Sequence, residues 1–435
     1  MSTDLKFCRC LCALSCTLLS VCAPAQTLNE VVQQALASYP ALATARAKME
    51  AAQADIARAR SGHYPQISMG LSANSYASGA MPSAVGKTTL SPTAKVNLWS
   101  GGRIQAETER AQALTSASEA QRQVTQEDVA LLATEAYLNW SKTSELHNLS
   151  VRNLQAHQET LDDIRKIAAA DMGRRIDLEQ AQVRVDNARL HAQQRESDLM
   201  QAMQRVRRFW TGVLNKQPED VAGVVASGGA LGVMPITQDE ATSHIKDELP
   251  TLAQHRAQVL AAEAAVRQAK GLHMPSIDLV ASRQFNGNTL RFDTLTQLQL
   301  NMPLYNGNSV EAQVEAAVAQ LRAAQASLDE ARLMQREKVS AAWQEWVSMR
   351  DRAHLGGKQS DVGDKVVDGY RLQFRLARRS LLDLLNIQAD AFNYRSSALM
   401  AVHDERIARA RLLAAMGALS ERFEPGGLLA PAVQR

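Results

Sequence analysis

Aromatic residues make up only 4% of this chain of 435 residues. Compact enzyme cores rely on Phe, Tyr and Trp, because each buries a large apolar area. Cysteine is missing beyond residue 22: the five are Cys8, Cys10, Cys12, Cys16 and Cys22. The formal net charge is only +3, so there is no basic surplus of the kind that nucleic-acid binding needs. After the first 25 residues no run of 18 apolar residues occurs, which excludes a membrane-spanning helix. The chain then either works in solution outside the cytoplasm or crosses a membrane as strands. The nine histidines show no i, i+4 pair and no H-E-x-x-H. There is no G-x-S-x-G, phosphate-binding glycine loop or dinucleotide fingerprint. No enzyme, metal or cofactor reading finds support.

Export is written at the start. Lys6 and Arg9 precede an apolar stretch from Leu11 to Val21, and Ala23-Pro24-Ala25 closes it. That is a secretory signal peptide over residues 1–25. A second reading is lipid attachment at Cys22, although Val21 is bulkier than the small residue expected before such a cysteine. Cleavage after Ala25 removes every cysteine, and with them any disulfide, thiol nucleophile or thiolate metal site.

What the chain does have is alanine and a repeat. Much of its 46% hydrophobic content is Ala, which with Gln, Arg, Glu and Leu suits long, closely packed helices. Residues 51–67 end in His63-Tyr-Pro65-Gln-Ile67, and residues 261–277 end in His273-Met-Pro275-Ser-Ile277, at an offset of 210 (275 − 65). A fixed offset marks internal duplication. We read a first repeat over 26–216, a linker over 217–236, a second repeat over 237–420 and a tail over 421–435. Pro40 and Pro250 occupy matching places, each at the first turn of a new helix.

After Pro65 and Pro275 the spacing changes to alternation. Ile67, Met69, Leu71 and Ala73 form one strand face, and Leu90, Pro92, Ala94, Val96 and Leu98 a second. Ile277, Leu279 and Ala281 form a third, and Leu298, Leu300 and Met302 a fourth. Asn286-Gly287-Asn288 predicts a hairpin turn, and the stretch 79–86 a looser one. Each strand has about ten residues, the length of a tilted membrane strand. Long helices follow: Arg103 to about Ala170 and back from Asp177 to about Leu214, then Ser309 to about Leu376, irregular near Gly356-Gly357, and back from Ser380 to Leu419. Such helices need antiparallel, coiled-coil partners.

Four strands cannot close a barrel, and open edges in lipid leave backbone groups unpaired at several kcal/mol each. Several chains must therefore share one barrel. Three chains give twelve strands and a wet lumen, which the small polar face suits.

At this point the chain resembles the TolC-like outer-membrane efflux protein family. The residues that carry the resemblance are His273-Met-Pro275-Ser-Ile-Asp-Leu-Val-Ala-Ser282, Met302-Pro-Leu-Tyr-Asn-Gly307, Leu98-Trp-Ser-Gly-Gly102 and Ser380-Leu-Leu-Asp383-Leu384. The resemblance implies an α+β membrane protein: a long antiparallel α-helical coiled-coil barrel plus a 12-stranded β-barrel shared by a homotrimer, four strands per protomer, with an internal two-fold repeat. It implies the Gram-negative outer membrane, with the helical tunnel in the periplasm. The implied partners are a periplasmic adaptor and an inner-membrane ABC or RND-type transporter at the far helical end, with no cofactor. Type I protein secretion is favoured over small-molecule efflux by the Leu98-to-Arg103 region. A periplasmic coiled-coil adaptor or scaffold is the competing class, and the strands argue against it.

The same resemblance singles out the far helical turn as an entrance. Asp383 takes the acidic ring position and Arg379 the basic position that helps hold a closed state. Asp177 is the first-repeat counterpart of Asp383. Phe374 stands where such channels often have Tyr, so one gate hydrogen bond is missing, and Asn386 where a second ring Asp is sometimes found. Ser380-x-x-Asp383 also reads as a plain helix cap. Arg174-Arg175 and Arg205, Arg207 and Arg208 read as solvated faces, with the first pair also suited to an adaptor contact. Trp99 and Tyr305 lie at strand-to-helix junctions, where an interfacial aromatic belt would form.

Overall fold

The computed structural model describes residues 27–73, 88–170, 175–214, 218, 234–286, 291–376 and 378–423. The expected signal peptide, the loop at 79–86, Arg174, Gly287 and Asn288, nearly all of the linker and the tail from Glu424 lie outside these residues.

Helix α1 (Leu28–Ser38) starts at Thr27, whose hydroxyl accepts from the Glu30 amide while Glu30 accepts from the Thr27 amide, a full capping box. Helix α2 (Pro40–Arg60) and helix α6 (Pro250–Lys270) each run 21 residues with Pro at the first turn. Each leads into a single 3₁₀ turn, Ser61–His63 or Gly271–His273. The offset of 210 seen in the sequence is thus an offset of structure. Helix α5 (Gln238–Ser243) precedes the second copy.

The long helices are α3 (Arg103–Ala170, 68 residues), α4 (Arg175–Val206), α7 (Ser309–Arg375, 67 residues) and α8 (Leu381–Ala415). At 1.5 Å per residue α3 is about 100 Å long. Two expectations change here. Helix α4 stops at Val206, eight residues before Leu214, because the chain turns to bury Phe209 against Tyr39, ring centroids 5.2 Å apart. Helix α7 runs unbroken through Gly356-Gly357. A Cβ on Gly356 would sit 3.2 Å from Ala398 Cα, so the missing side chain lets α7 and α8 approach closely. The glycine serves packing rather than a break.

Strands β1 (Gln66–Ala73), β2 (Thr88–Trp99), β3 (Ser276–Asn286) and β4 (Arg291–Asn301) form one antiparallel sheet in the order β1-β2-β3-β4. Register gathers most of the apolar side chains on one face. Ile67 opposes Ala94, Met69 opposes Pro92 and Leu71 opposes Leu90; Ile277 opposes Leu300 and Leu279 opposes Leu298. Ser68, Thr93 and Ser282 line up on the other face. No described residue covers the apolar face: Ile67 is 81%, Met69 73% and Leu71 72% exposed. Val280, opposite Lys95 and Gln297, and Leu295, opposite Ser282, are apolar residues on the polar face.

The main core sits near mid-length of α3 and α7, where α1, the end of α4 and the end of α8 converge. Tyr137, Trp140, Leu412, Leu413 and Phe423 are fully buried there. Tyr137 meets Trp140 edge to face at 5.4 Å. Arg411 on α8 reaches Glu135 on α3 at 2.6 Å and Glu345 on α7 at 2.9 Å. Glu127 on α3 accepts the Leu419 and Ser420 amides at 2.7 and 2.9 Å, capping the turn that ends the described chain. Burial pushes the Glu127 carboxyl above its usual range, against the pull of those two amides. A folded-state pKa raised in this way favours the fold below the unfolded value, about 4.3, and that benefit fades as pH rises through the folded value. In thermal unfolding followed by circular dichroism, Glu127→Gln is therefore expected to gain stability relative to the wild type as pH goes from about 4.5 to about 7.5. A pH-independent difference between the two would contradict this.

Candidate functional site

The far end of the helices is built from both repeats. Leu161 and Ile164 of α3, Ala181 and Val185 of α4, and Leu381 and Leu385 of α8 form one buried apolar cluster, with Phe374 of α7 packed against it. The turns between α3 and α4 and between α7 and α8 are thereby held at one place. Two side-chain bonds cross between repeats: Arg184 Nη2 donates to Asn386 Oδ1 at 3.0 Å, and Gln388 Nε2 donates to Thr160 Oγ1 at 3.3 Å.

Ser380 caps α8 by accepting from the Asp383 amide at 3.2 Å. The Asp383 carboxylate is about half exposed and lies 4.0 Å from Arg379 Nη1. Arg379 is held inside its own turn. Its Nε donates to Gln373 Oε1 at 3.0 Å, and its guanidinium sits 4.5 Å from the centre of the Tyr370 ring. Asp177 lies in the first turn of α4, where the positive end of the helix favours a carboxylate; it makes no side-chain bond to a described residue. Of the five sequence-chosen tip residues, Arg379 and Asp383 are brought together, Phe374 joins the apolar cluster, Asn386 serves Arg184, and Asp177 stands apart. The tie from Arg184 to Asn386 was not legible, because hydrogen-bond partners 202 residues apart leave no local pattern.

At the opposite end, a register shift between Asn97 and Trp99 sets Trp99 against Ile277, a residue of the apolar face. The inserted residue turns the strand end, so Leu98 and Trp99 are both exposed beside that face. Gly101 follows at φ +62°, and a Cβ there would collide with the Met274 side chain. Tyr305, in the second junction, is 84% exposed. On the polar face Asp278 is buried against Lys95 Nζ at 3.0 Å and Asn97 Nδ2 at 2.8 Å.

The outer membrane efflux protein family matches residues 31–212 and 242–418, one segment in each repeat. Protein CyaE of Bordetella pertussis is 24% identical over 405 residues, covering 90% of this chain and 84% of its own. The proteases secretion protein PrtF of Dickeya chrysanthemi is 26% identical over 267 residues, 54% of this chain and 56% of its own. The open-state structure of the Neisseria gonorrhoeae MtrE outer membrane channel shares the fold, with a TM-score of 0.73 at 18% identity over 91% of this chain and 90% of that one.

Leu385 of α8 is 1% exposed within this cluster. Truncation of a buried Leu costs about 2–5 kcal/mol. Leu385→Ala is expected to speed amide hydrogen exchange in the first turns of α4 and α8 while leaving the mid-length core protected. Uniform acceleration along the helices would show that the tip is not a separate unit.

Proposed function

Because the chain belongs to the outer membrane efflux protein family, we propose that three copies close their sheets into one twelve-stranded barrel and their helices into one periplasmic tunnel. The observation that carries this is the linear sheet order with β1 and β4 as edges unpaired among the described residues, combined with an apolar face that no described residue covers. In lipid that face is satisfied, and the edges are satisfied only by another copy. The facing surface, with Ser68, Ser91, Thr93 and Ser282, lines a lumen wide enough for water. Trp99 and Tyr305 then mark the boundary between barrel and helices.

The protein supplies a path rather than energy or chemistry. Cargo enters at the helical tip from an inner-membrane ABC or RND-type transporter joined through a periplasmic adaptor. Ile176, Val183 and Leu382 flank an open groove between α4 and α8 there, an apolar surface suited to a helical partner. The exposed Asp383 carboxylates form a ring at the entrance, and Asp177 adds charge from the first repeat. Arg379, engaged by Gln373, Tyr370 and Asp383, holds each turn in its closed shape. Asn386 in place of a carboxylate leaves the ring with one acid per second-repeat turn. Type I secretion of a protein is the favoured cargo class, supported by likeness to a proteases secretion protein; the efflux family as a whole supports small-molecule export as the second reading.

The purified protein in a planar bilayer is expected to form water-filled pores that multivalent cations block from the helical side, and Asp383→Ala is expected to weaken that block. Failure to form pores would refute the channel. Pores with unchanged block in the variant would remove only the Asp383 ring.

A further inference from the structure

Above the tip cluster, α3, α4 and α8 border a half-open cavity of about 410 Å³. His157 of α3, Arg184, His191 and Arg195 of α4, and Asn393 and Ser396 of α8 line it. No Asp or Glu lines it among the described residues. Arg184 bonds only to the neutral Asn386 and forms no ion pair with a described residue. Arg195 reaches Asp198 through one nitrogen at 3.3 Å, which leaves the rest of its fork free. The cavity is therefore electropositive, with donors arriving from both repeats.

His157 is the sharpest sign that something polar is missing. It is 5% exposed, and its Nδ1 has no partner among the described residues. Burial, aided by the charge of Arg184, holds its pKa below the usual histidine value, so the ring is neutral near pH 7. Ser396 of α8, also buried, lines the same cavity.

We propose that this cavity binds a small molecule with an oxyanion headgroup, a phosphate or carboxylate, and that the bound anion ties α4 of the first repeat to α8 of the second just above the entrance. Guanidinium forks match such headgroups in shape and charge. The cavity volume lies in the range of small-ligand sites. The ligand would act as a clasp parallel to the bond between Arg184 and Asn386, so occupancy would favour the closed tip.

The test is isothermal titration of the full-length protein in detergent with inorganic phosphate and, separately, citrate, at fixed ionic strength. Saturable binding of one or both, at one site per chain, is expected. Arg184→Gln and His191→Gln are each expected to weaken it, the former by about tenfold or more, as loss of a charge-assisted hydrogen bond implies. His191 is exposed, so its replacement leaves the fold intact, and unfolding temperatures check both variants. Arg184→Lys, which keeps the charge without the fork, is expected to recover part of the affinity. Absence of saturable binding for both probes, or equal affinity in wild type and variants, would overturn the proposal. Stoichiometry is read per chain, so binding without trimers would refute the channel reading alone, and trimers without binding would refute the clasp alone.

Discussion

The backbone edges of β1 and β4 are the constraint on which the rest depends. Each carries a row of amides and carbonyls with no strand beside it among the described residues. In water such edges can be solvated; in hydrocarbon each unpaired group costs several kcal/mol. The exposed apolar face, with Ile67, Met69, Leu71, Leu298 and Leu300, belongs in hydrocarbon. Together these two facts require a closed assembly of several copies, and the four strands of each chain make the barrel's strand number a multiple of four. The long helices follow, because each strand pair leads through a short junction into an outward helix.

The helical part works by a different economy. Alanine recurs along its seams, and at Gly356 there is no side chain at all between α7 and α8. Small side chains give long helices close approach over their full length, with little area gained at any one point. The scarce aromatics gather where area matters. Tyr137, Trp140, Trp346, Phe209 and Phe423 sit in the mid-length core, and Trp99 and Tyr305 flank the sheet. The tip, by contrast, is held by a six-residue apolar cluster and a few polar bonds. Less burial at the tip than at mid-length places the most easily opened part of the molecule at the tip.

Much of this was legible in the sequence. The duplicated helix-Pro-strand segment, the prolines at helix starts and all four strands follow from spacing and from fixed backbone preferences, which act over a few residues. Three features were not. The extra residue that redirects Trp99 depends on cross-strand register with β3. The early end of α4 depends on Tyr39 receiving Phe209. Gly356 looked like a helix breaker because propensity is local, yet the close contact with Ala398 outweighs it. At the tip, Ser380 and Asp383 were legible as a cap, and the cap forms. The bonds from Arg184 to Asn386 and from Gln388 to Thr160 join residues more than 200 positions apart, and no periodicity records them.

The shared barrel is tested most directly by cysteine cross-linking between the two open edges. Within one chain β1 and β4 lie on opposite sides of the sheet, separated by β2 and β3, so a bond between them can form only between copies. One cysteine at Ser68 in β1, combined in turn with one at Gln297, Gln299 or Asn301 in β4, is to be oxidised in intact outer membranes. Covalent dimers and trimers for at least one of these pairs, and no larger species, is the result predicted. Monomers throughout, or a ladder running past three, would contradict a barrel shared by three chains.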